Sequence, residues 1–429
     1  MALQLSKPLS LALRSSSSLA LVSSSSRTKL PFTLSPLINI TSNAQLRSRN
    51  RSQAVHIRIN VRNLVSDAQK PKGLPSDQQA SYNQLRPLID TFEAPIDWAV
   101  AYGSGVMKQA QTKPGDSPSL VDLLLSTSSP IDFHTINLRQ NPSHYPLHAR
   151  LIGAKGISHI QENWGANVWY VTNVKIGNTS VKYGIISNSS LIQDLNEWKT
   201  FYLSGRLQKP TLPLILSNSS LNELNQAIKK NLKSALCFGL LLCPKEFKED
   251  YLWEKITGLS YSGDPRMSIP GGENPEKIKN IVRGLGAREG FRNMYEPFLK
   301  ELGIGFLEDK DKKEDKFKNG WKGEGESLLY QPNSTEYQIQ LFNSLPLSLR
   351  HSVLSHFPNV SNQQSEKEEL LTKIKDPKFI PTISSELRNI IHKPALRQSI
   401  KGLFTAGFTK SFWYALAKIQ KWFKGRAKK

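Results

Sequence analysis

The sequence predicts an α+β fold, and three observations carry the prediction. Between about residues 83 and 205, short apolar runs alternate with turn residues. From about 206 the apolar residues recur at helical spacing, and after 330 helical patterning returns and runs to the C-terminus. The 429 residues are enough for two or three domains, and 38% hydrophobic content is enough to fill their cores.

Residues 1–66 precede the first predicted element. They contain no Asp or Glu, nine Lys or Arg, and serine runs at 15–18 and 23–26. An acid-free, arginine- and serine-rich start is the pattern of an organellar transit peptide, expected to be disordered. Residues 67–82 are polar and read as a linker. The first structured domain is expected over 83–205. "IDWAVAYG" reads as a strand, "SLVDLLLSTS" as a second, and "NVWYVTNVKIGNTSVKYGIIS" as a hairpin turning at Gly177-Asn178. "DFHTINLRQN" and "HARLIGAKGISHIQENW" have helical length and spacing.

A helical domain is expected over 206–307. Leu221, Leu224, Ile228, Leu232, Leu236 and Leu240 form one face of a 3.6-residue period, and Pro244 ends it. Residues 308–330 are dense in both signs of charge and read as a solvated loop. Residues 331–429 form a C-terminal helical region. Its end, about 410–424, places Phe412, Leu416, Ile419 and Phe423 on one seam among Lys410, Lys418, Lys421 and Lys424, with Trp413 and Trp422 nearby. A basic amphipathic helix with aromatics reads as a membrane-surface element.

Removing the nine leader cations from a formal charge of +22 leaves +13. Such a surface suits a polyanion: nucleic acid, a nucleoside triphosphate or anionic lipid. The two cysteines, Cys237 and Cys243, share one apolar run and read as buried thiols, which excludes a disulfide framework or cysteine metal cluster. That run is far shorter than the ~20 residues that cross a bilayer, so no spanning helix is expected.

The site candidates start at "AVAYGSGVMKQA". A strand that ends in Gly103-Ser104-Gly105 and leads into a helix would aim backbone N–H groups and a hydroxyl at one spot, which favours phosphate oxygens. Asp122, alone in an apolar run, is expensive to bury unless it is paired or binds a metal. If the two strands are neighbours, a phosphate cradle stands beside a Mg²⁺ ligand, the arrangement of a nucleotidyltransferase. The position two residues on, where a second acid is usual, is Leu124, so Asp194 and Asp264 are the candidates for a second ligand. His134, Asn137 and Asn141 recur on one helix stripe and could line a nucleotide pocket. Arg206 and Lys209 could hold a triphosphate or a phospholipid head group.

Together the pieces resemble the mitochondrial phosphatidate cytidylyltransferases, or mitochondrial CDP-diacylglycerol synthases, of the translocator assembly and maintenance type. The likeness runs from about 90 to 429 and rests on "YGSGV", "DFHTINLRQNPSHY", "KYGIISNSSLIQDLNEWKTFYLSGRLQKP", "NLKSAL", "GLSYSGDPRM" and "LRQSIKGLFTAG". It implies transfer from CTP to phosphatidic acid with Mg²⁺ at the matrix face of the mitochondrial inner membrane, feeding cardiolipin synthesis. It also implies a nucleotidyltransferase-fold domain, a winged-helix-like domain and a C-terminal part that meets the membrane. Under it Gly103, Ser104 and Asp122 are catalytic, with Gly105, His134, Asn137, Asn141, Lys182, Tyr183, Arg206 and Lys209 binding nucleotide or substrate. Asp122 holds the metal, with Asp194 or Asp264 as the second ligand, and anionic membrane lipids rather than nucleic acid are the expected partners. An RNA-acting nucleotidyltransferase shares the turn and the charge, but not the missing second acid or the basic amphipathic end. A non-enzymatic factor for assembling inner-membrane import machinery is the other alternative, and Asp122→Asn separates it from an enzyme.

Overall fold

The computed structural model describes residues 76–103, 106, 120–216, 221–268, 274, 276–311, 317, 320–323, 325–358 and 366–406. The expected transit peptide, Ser104, Gly105 and the basic stretch 410–424 lie outside the described residues. The fold is α+β. Helix α1 (Ser76–Asp90) opens it and begins inside the stretch that reads as a linker. Its polar first turn hides a buried stripe of Tyr82, Leu85 and Ile89.

Five strands form one sheet: β1 (Trp98–Tyr102), β2 (Val121–Thr127), β3 (Trp169–Ile176), β4 (Thr179–Ser187) and β5 (Leu212–Ile215), in the order β3-β4-β2-β1-β5. β2 and β4 run parallel, with Asp122 opposite Lys182; the other neighbours are antiparallel, and Tyr102 lies opposite Asp122. The β3–β4 hairpin turns at Gly177 and Asn178, as the alternation predicts. β5 carries this sheet past residue 205, where the sequence pattern placed the end of the first domain. Pro213 lacks an N–H, so the strand is tolerated only at an edge, and a register shift in β1 accompanies it.

Side chains alternate across a strand, so the two faces differ. Leu123, Leu125, Tyr183 and Ile185 point beneath α1, α2 (Pro130–Gln140) and α3 (Leu147–Asn163). Ser129 caps α2 by accepting from Asp132 N, with Pro130 in its first turn, so Asp132 is a helix-start acid. The opposite face carries Asp122, Leu124, Lys182 and Ile186. Leu191 and Leu195 of α4 (Asn188–Glu197) and Leu203 and Leu207 around α5 (Ser204–Leu207) cover part of it.

A second core follows. It gathers α6 (Asn222–Leu241), α7 (Glu249–Leu259), α9 (Lys277–Val282), α10 (Ala287–Glu301), α11 (Thr335–Asn343), α12 (Leu347–Leu354), α13 (Glu366–Ile374) and α14 (Phe379–Ala406), with the short α8 (Pro265–Ser268) between α7 and α9 in the chain. Trp253 stacks on Phe291 at 5.3 Å, and Phe342 meets Phe379 at 5.0 Å. Residues on both sides of the 308–330 stretch therefore share one core, and 331–406 is not a separate unit. That stretch is not all loop: Leu328–Tyr330 is strand β8, sitting between β6 (Glu246–Lys248) and β7 (Gly305–Phe306). Cys237 and Cys243 are free, and burial pushes their thiols up to about 11 and about 12.

Helix α14 belongs to both cores. Phe379, Ile383 and Leu387 pack in the second. Further along, Gln398 accepts from Ala166 N at 3.0 Å, and Lys401 donates to the Trp164 carbonyl at 2.7 Å. Lys401 closes the C-terminal end of α3, where burial pulls its ammonium down to about 7. No helix among the described residues is long and apolar enough to cross a membrane.

Candidate active site

A cavity of about 290 Å³ opens between the Asp122 face of the sheet, the α7–α9 region and α14. On the sheet side, β1 ends at Tyr102 and the chain turns at Gly103, whose φ of +80° is the left-handed region that glycine adopts without cost. Val106 N donates to the Gly103 carbonyl at 3.1 Å and closes a tight turn. A methyl group on Gly103 would stand 3.2 Å from Asp122 Oδ2, so the turn and the carboxylate are in contact. The strands are neighbours, as the sequence reading required.

Lys182 Nζ donates to Asp122 Oδ1 at 2.7 Å, from the parallel strand. Burial pulls the ammonium down, but Asp122, together with Tyr170 and Tyr202, outweighs it and holds Lys182 above the ordinary lysine value. The ammonium also stands over the Tyr170 ring at 4.7 Å.

Arg206 and Lys209 come from the segment after β4. The Arg206 guanidinium lies 3.8 Å from the centre of the Tyr202 ring and donates to the Tyr202 carbonyl. Lys209 Nζ donates to Ser260 Oγ at 2.8 Å and to the Gly205 carbonyl. Burial, with Arg206 beside it, pulls Lys209 down to about 7. Across the cavity, Asp264 accepts from Arg266 Nε and Nη2. Burial raises the Asp264 carboxyl, but the hydrogen bonds and charge of Arg266, with Arg206 adding to them, outweigh it and hold it below the ordinary carboxylate range. Gly263 lets this turn press against α14, since a Cβ there would meet the Arg388 carbonyl oxygen at 2.5 Å.

Among the described lining residues, Lys182, Arg206, Lys209, Arg266 and Lys277 oppose only Asp122 and Asp264. That excess of positive charge, with aromatic walls from Tyr102, Tyr202 and Tyr261, suits a polyphosphate bearing a base.

Several expected site residues lie elsewhere. His134, Asn137, Asn141 and Tyr183 sit on the opposite side of the sheet from Asp122. His134 is fully buried, with its ring nitrogens 2.9 Å from Tyr145 Oη and 2.9 Å from Gln161 Oε1. Asn137 donates to the hydroxyls of Tyr145 and Tyr183, and Asn141 donates to Asn137 Oδ1 at 2.8 Å. The polar stripe is thus an internal network at His134 and Asn137, with Asn141 half-buried at its end. Burial lowers His134 to about 4, so its imidazole is neutral near pH 7. Tyr183 cannot share a site with Lys182, its neighbour along the strand, because adjacent strand residues face opposite ways.

Asp194 is also occupied. Its Oδ1 accepts from Thr200 N, Thr200 Oγ1 and Phe201 N, and its Oδ2 accepts from Leu203 N, Ser204 N and Ser204 Oγ. All six donors sit in residues 200–204, the end of the loop and the first residue of α5, just ahead of Arg206. Asp194 therefore organises that loop, and Asp264 is the second carboxylate in the cavity. No group of three His, Cys, Asp or Glu able to hold a metal exists among the described residues. Sequence reasoning did not single out Tyr102, Tyr202, Ser260 or Lys277. Tyr102 had a signal, as the last strand residue before the turn, and Tyr202 stands four residues before Arg206; Ser260 and Lys277 are brought in by tertiary packing.

A family model described as "Phosphatidate cytidylyltransferase, mitochondrial" matches residues 85–421. Curated proteins of that same name are similar along most of their length. The one from Schizosaccharomyces pombe is 38% identical over 341 residues, covering 79% of this chain and 83% of the yeast protein. The Rattus norvegicus protein is 34% identical over 346 residues (80% and 96%), and the Danio rerio protein 33% over 365 (83% and 99%).

Proposed function

The chain belongs to the mitochondrial phosphatidate cytidylyltransferase family, and from that premise we infer that its cavity joins CTP to phosphatidic acid, giving CDP-diacylglycerol and pyrophosphate. The observation that carries the site assignment is the contact of the Gly103 turn with Asp122, in one cavity lined also by Lys182, Arg206, Lys209, Arg266 and Lys277.

In the reaction an oxygen of the phosphatidate phosphate bonds to the α-phosphorus of CTP, and the α–β anhydride bond breaks. The acceptor is already an oxyanion, so no strong general base is required. This agrees with the neutral, enclosed His134. The protein's work is alignment and charge neutralisation. The Gly103 turn and Lys182 meet the triphosphate at the sheet, while Arg206, Lys209, Arg266 and Lys277 receive phosphate oxygens from the other walls. Asp264 orients the Arg266 fork. Tyr202 fixes the plane of Arg206.

The donor set fits Mg²⁺. That hard ion is usually held by one or two carboxylates with substrate phosphates supplying other ligands, and Asp122 offers such a carboxylate beside the turn. Bound there, Mg²⁺ would offset the charge of the triphosphate and of the departing pyrophosphate. Lys182 keeps the Asp122 carboxylate in place until then.

The same reading makes the five-stranded part a nucleotidyltransferase-type domain and the helical part, with its small β6-β8-β7 sheet, winged-helix-like. It also puts the protein peripherally on the matrix side of the inner membrane, at anionic lipid, where its product serves cardiolipin synthesis. The test gives the full chain α-labelled CTP, Mg²⁺ and phosphatidate. Label should appear in CDP-diacylglycerol, and Asp122→Asn should slow the transfer by about 10²-fold or more. Label that never reaches lipid, or an Asp122→Asn variant at full rate, would overturn the assignment.

A further inference from the structure

The α3 helix is interrupted. Gly153 has φ +67° and ψ −179°, so Leu147–Ile152 is a short helical piece joined at a non-helical residue. Three of its six residues are exposed and apolar: Leu147 at 66%, Leu151 at 78% and Ile152 at 41%. Between them His148 turns inward, its ring 4.3 Å from Phe404 and its Nε2 2.8 Å from the Phe404 carbonyl oxygen. This contact joins the piece to the end of α14.

Helix α14 has its own exposed apolar strip, Leu396, Ile400 and Leu403. Successive residues step about 100° round a helix, so these three share one strip. It lies next round the helix from Ile391, Ala395 and Ser399, which line the cavity. On the other side of that lining, Gln398 and Lys401 fasten α14 to the sheet domain. The strip therefore borders the cavity on the side away from the fastening.

We propose that Leu147, Leu151 and Ile152, with Leu396, Ile400 and Leu403, form a surface that dips into the bilayer holding the lipid acceptor. The proposal rests on the cytidylyltransferase reading, since an acceptor with acyl chains must be met at a membrane. Charge and chain direction argue for the bilayer as occupant. The described chain ends at Ala406, two residues beyond Phe404, and the sequence that follows carries Lys410, Lys418, Lys421, Lys424 and Arg426 among aromatics. Those cations suit anionic lipid, and the last described residue before them, Ala406, stands two positions past the Phe404 contact. Apolar side chains clustered this way mark an interaction site rather than ordinary surface.

The test uses the full chain and the double variant Leu151→Ser/Ile400→Ser. Flotation with phosphatidylcholine vesicles containing phosphatidate should show partitioning reduced about tenfold or more. KM for vesicle-borne phosphatidate should rise to match, while kcat and KM for a short-chain phosphatidate dissolved in water stay at parent values. Unchanged flotation, or a parallel loss on the dissolved substrate, would overturn the proposal. A Leu151→Trp variant identifies the cover. Its added fluorescence should shift to the blue only when vesicles are present. A shift already present in buffer that vanishes on deleting 407–429 would assign the patch to the chain's own tail. A shift that follows protein concentration would assign it to a second copy. If even the parent transfers nothing to the dissolved lipid, the enzymatic reading fails, while flotation still decides the surface.

Discussion

Replacing Asp194 by Asn removes one oxygen from the most heavily hydrogen-bonded carboxylate at the edge of the site. Each Asp194 oxygen accepts from two backbone N–H groups and one hydroxyl. Whichever way the new amide turns, two buried N–H groups face a donor instead of an acceptor. A buried unsatisfied donor costs about 1–3 kcal/mol, so the loss should be about 2–6 kcal/mol. Against the ~5–15 kcal/mol of a typical domain this is a large fraction. Urea denaturation near neutral pH reads it as a lower midpoint at unchanged slope. Arg206 follows the loop directly, so KM for CTP should rise as well. A loss under about 1 kcal/mol would refute the argument. So would a variant of normal or raised stability that loses activity, because that is how a freed metal ligand behaves.

Gly103→Ala forces a side chain into the left-handed region, at about 1–2 kcal/mol, and sets its methyl against Asp122 Oδ2. Transfer from CTP should fall much more than thermal stability does, and equal rates in parent and variant would remove the turn from the site. Lys209, pulled down to about 7, should regain its proton when polyphosphate binds. Above pH 7 the bound form then holds more protons than the free form, so CTP affinity should fall as pH rises, by up to about tenfold per unit. Titration calorimetry near pH 8, in buffers of different ionisation enthalpy, should show uptake approaching about one proton, lost in Lys209→Met. Binding heats independent of buffer would count against it.

Much of the site was legible because local chemistry dictates it. A lone acid among Val121 and Leu123–Leu125 needs a partner, and a turn ending one strand lies beside the start of an antiparallel neighbour. The β3–β4 hairpin was readable from Gly177-Asn178, and α6 from its leucine spacing. The stripe of His134, Asn137 and Asn141 misled because polar residues at helical spacing look solvent-facing. Here they bond beneath a sheet to Tyr145, Gln161 and Tyr183, with Asn141 donating to Asn137. Strand alternation alone separates Tyr183 from Lys182. Asp194 was ambiguous for a different reason: its donors lie six to ten residues downstream and acquire direction only when the loop closes. Ser260, Asp264 and Lys277 reach the cavity by packing between distant segments, which no spacing rule reports.

The fastening of α14 also sets the order in which the molecule can be completed. Ala166 and Gln398 are 232 positions apart, and Trp164 and Lys401 are 237 apart. A chain emerging from its N-terminus can form the five-stranded sheet long before the residues that wall its cavity exist. Contacts between such distant positions form late, so the α14 wall is added after the five-stranded sheet can form. During that interval the Asp122 face stands open to water and the cavity has no third side. The nascent enzyme therefore has no competence to gain in stages; it becomes whole only when nearly its last described residues arrive.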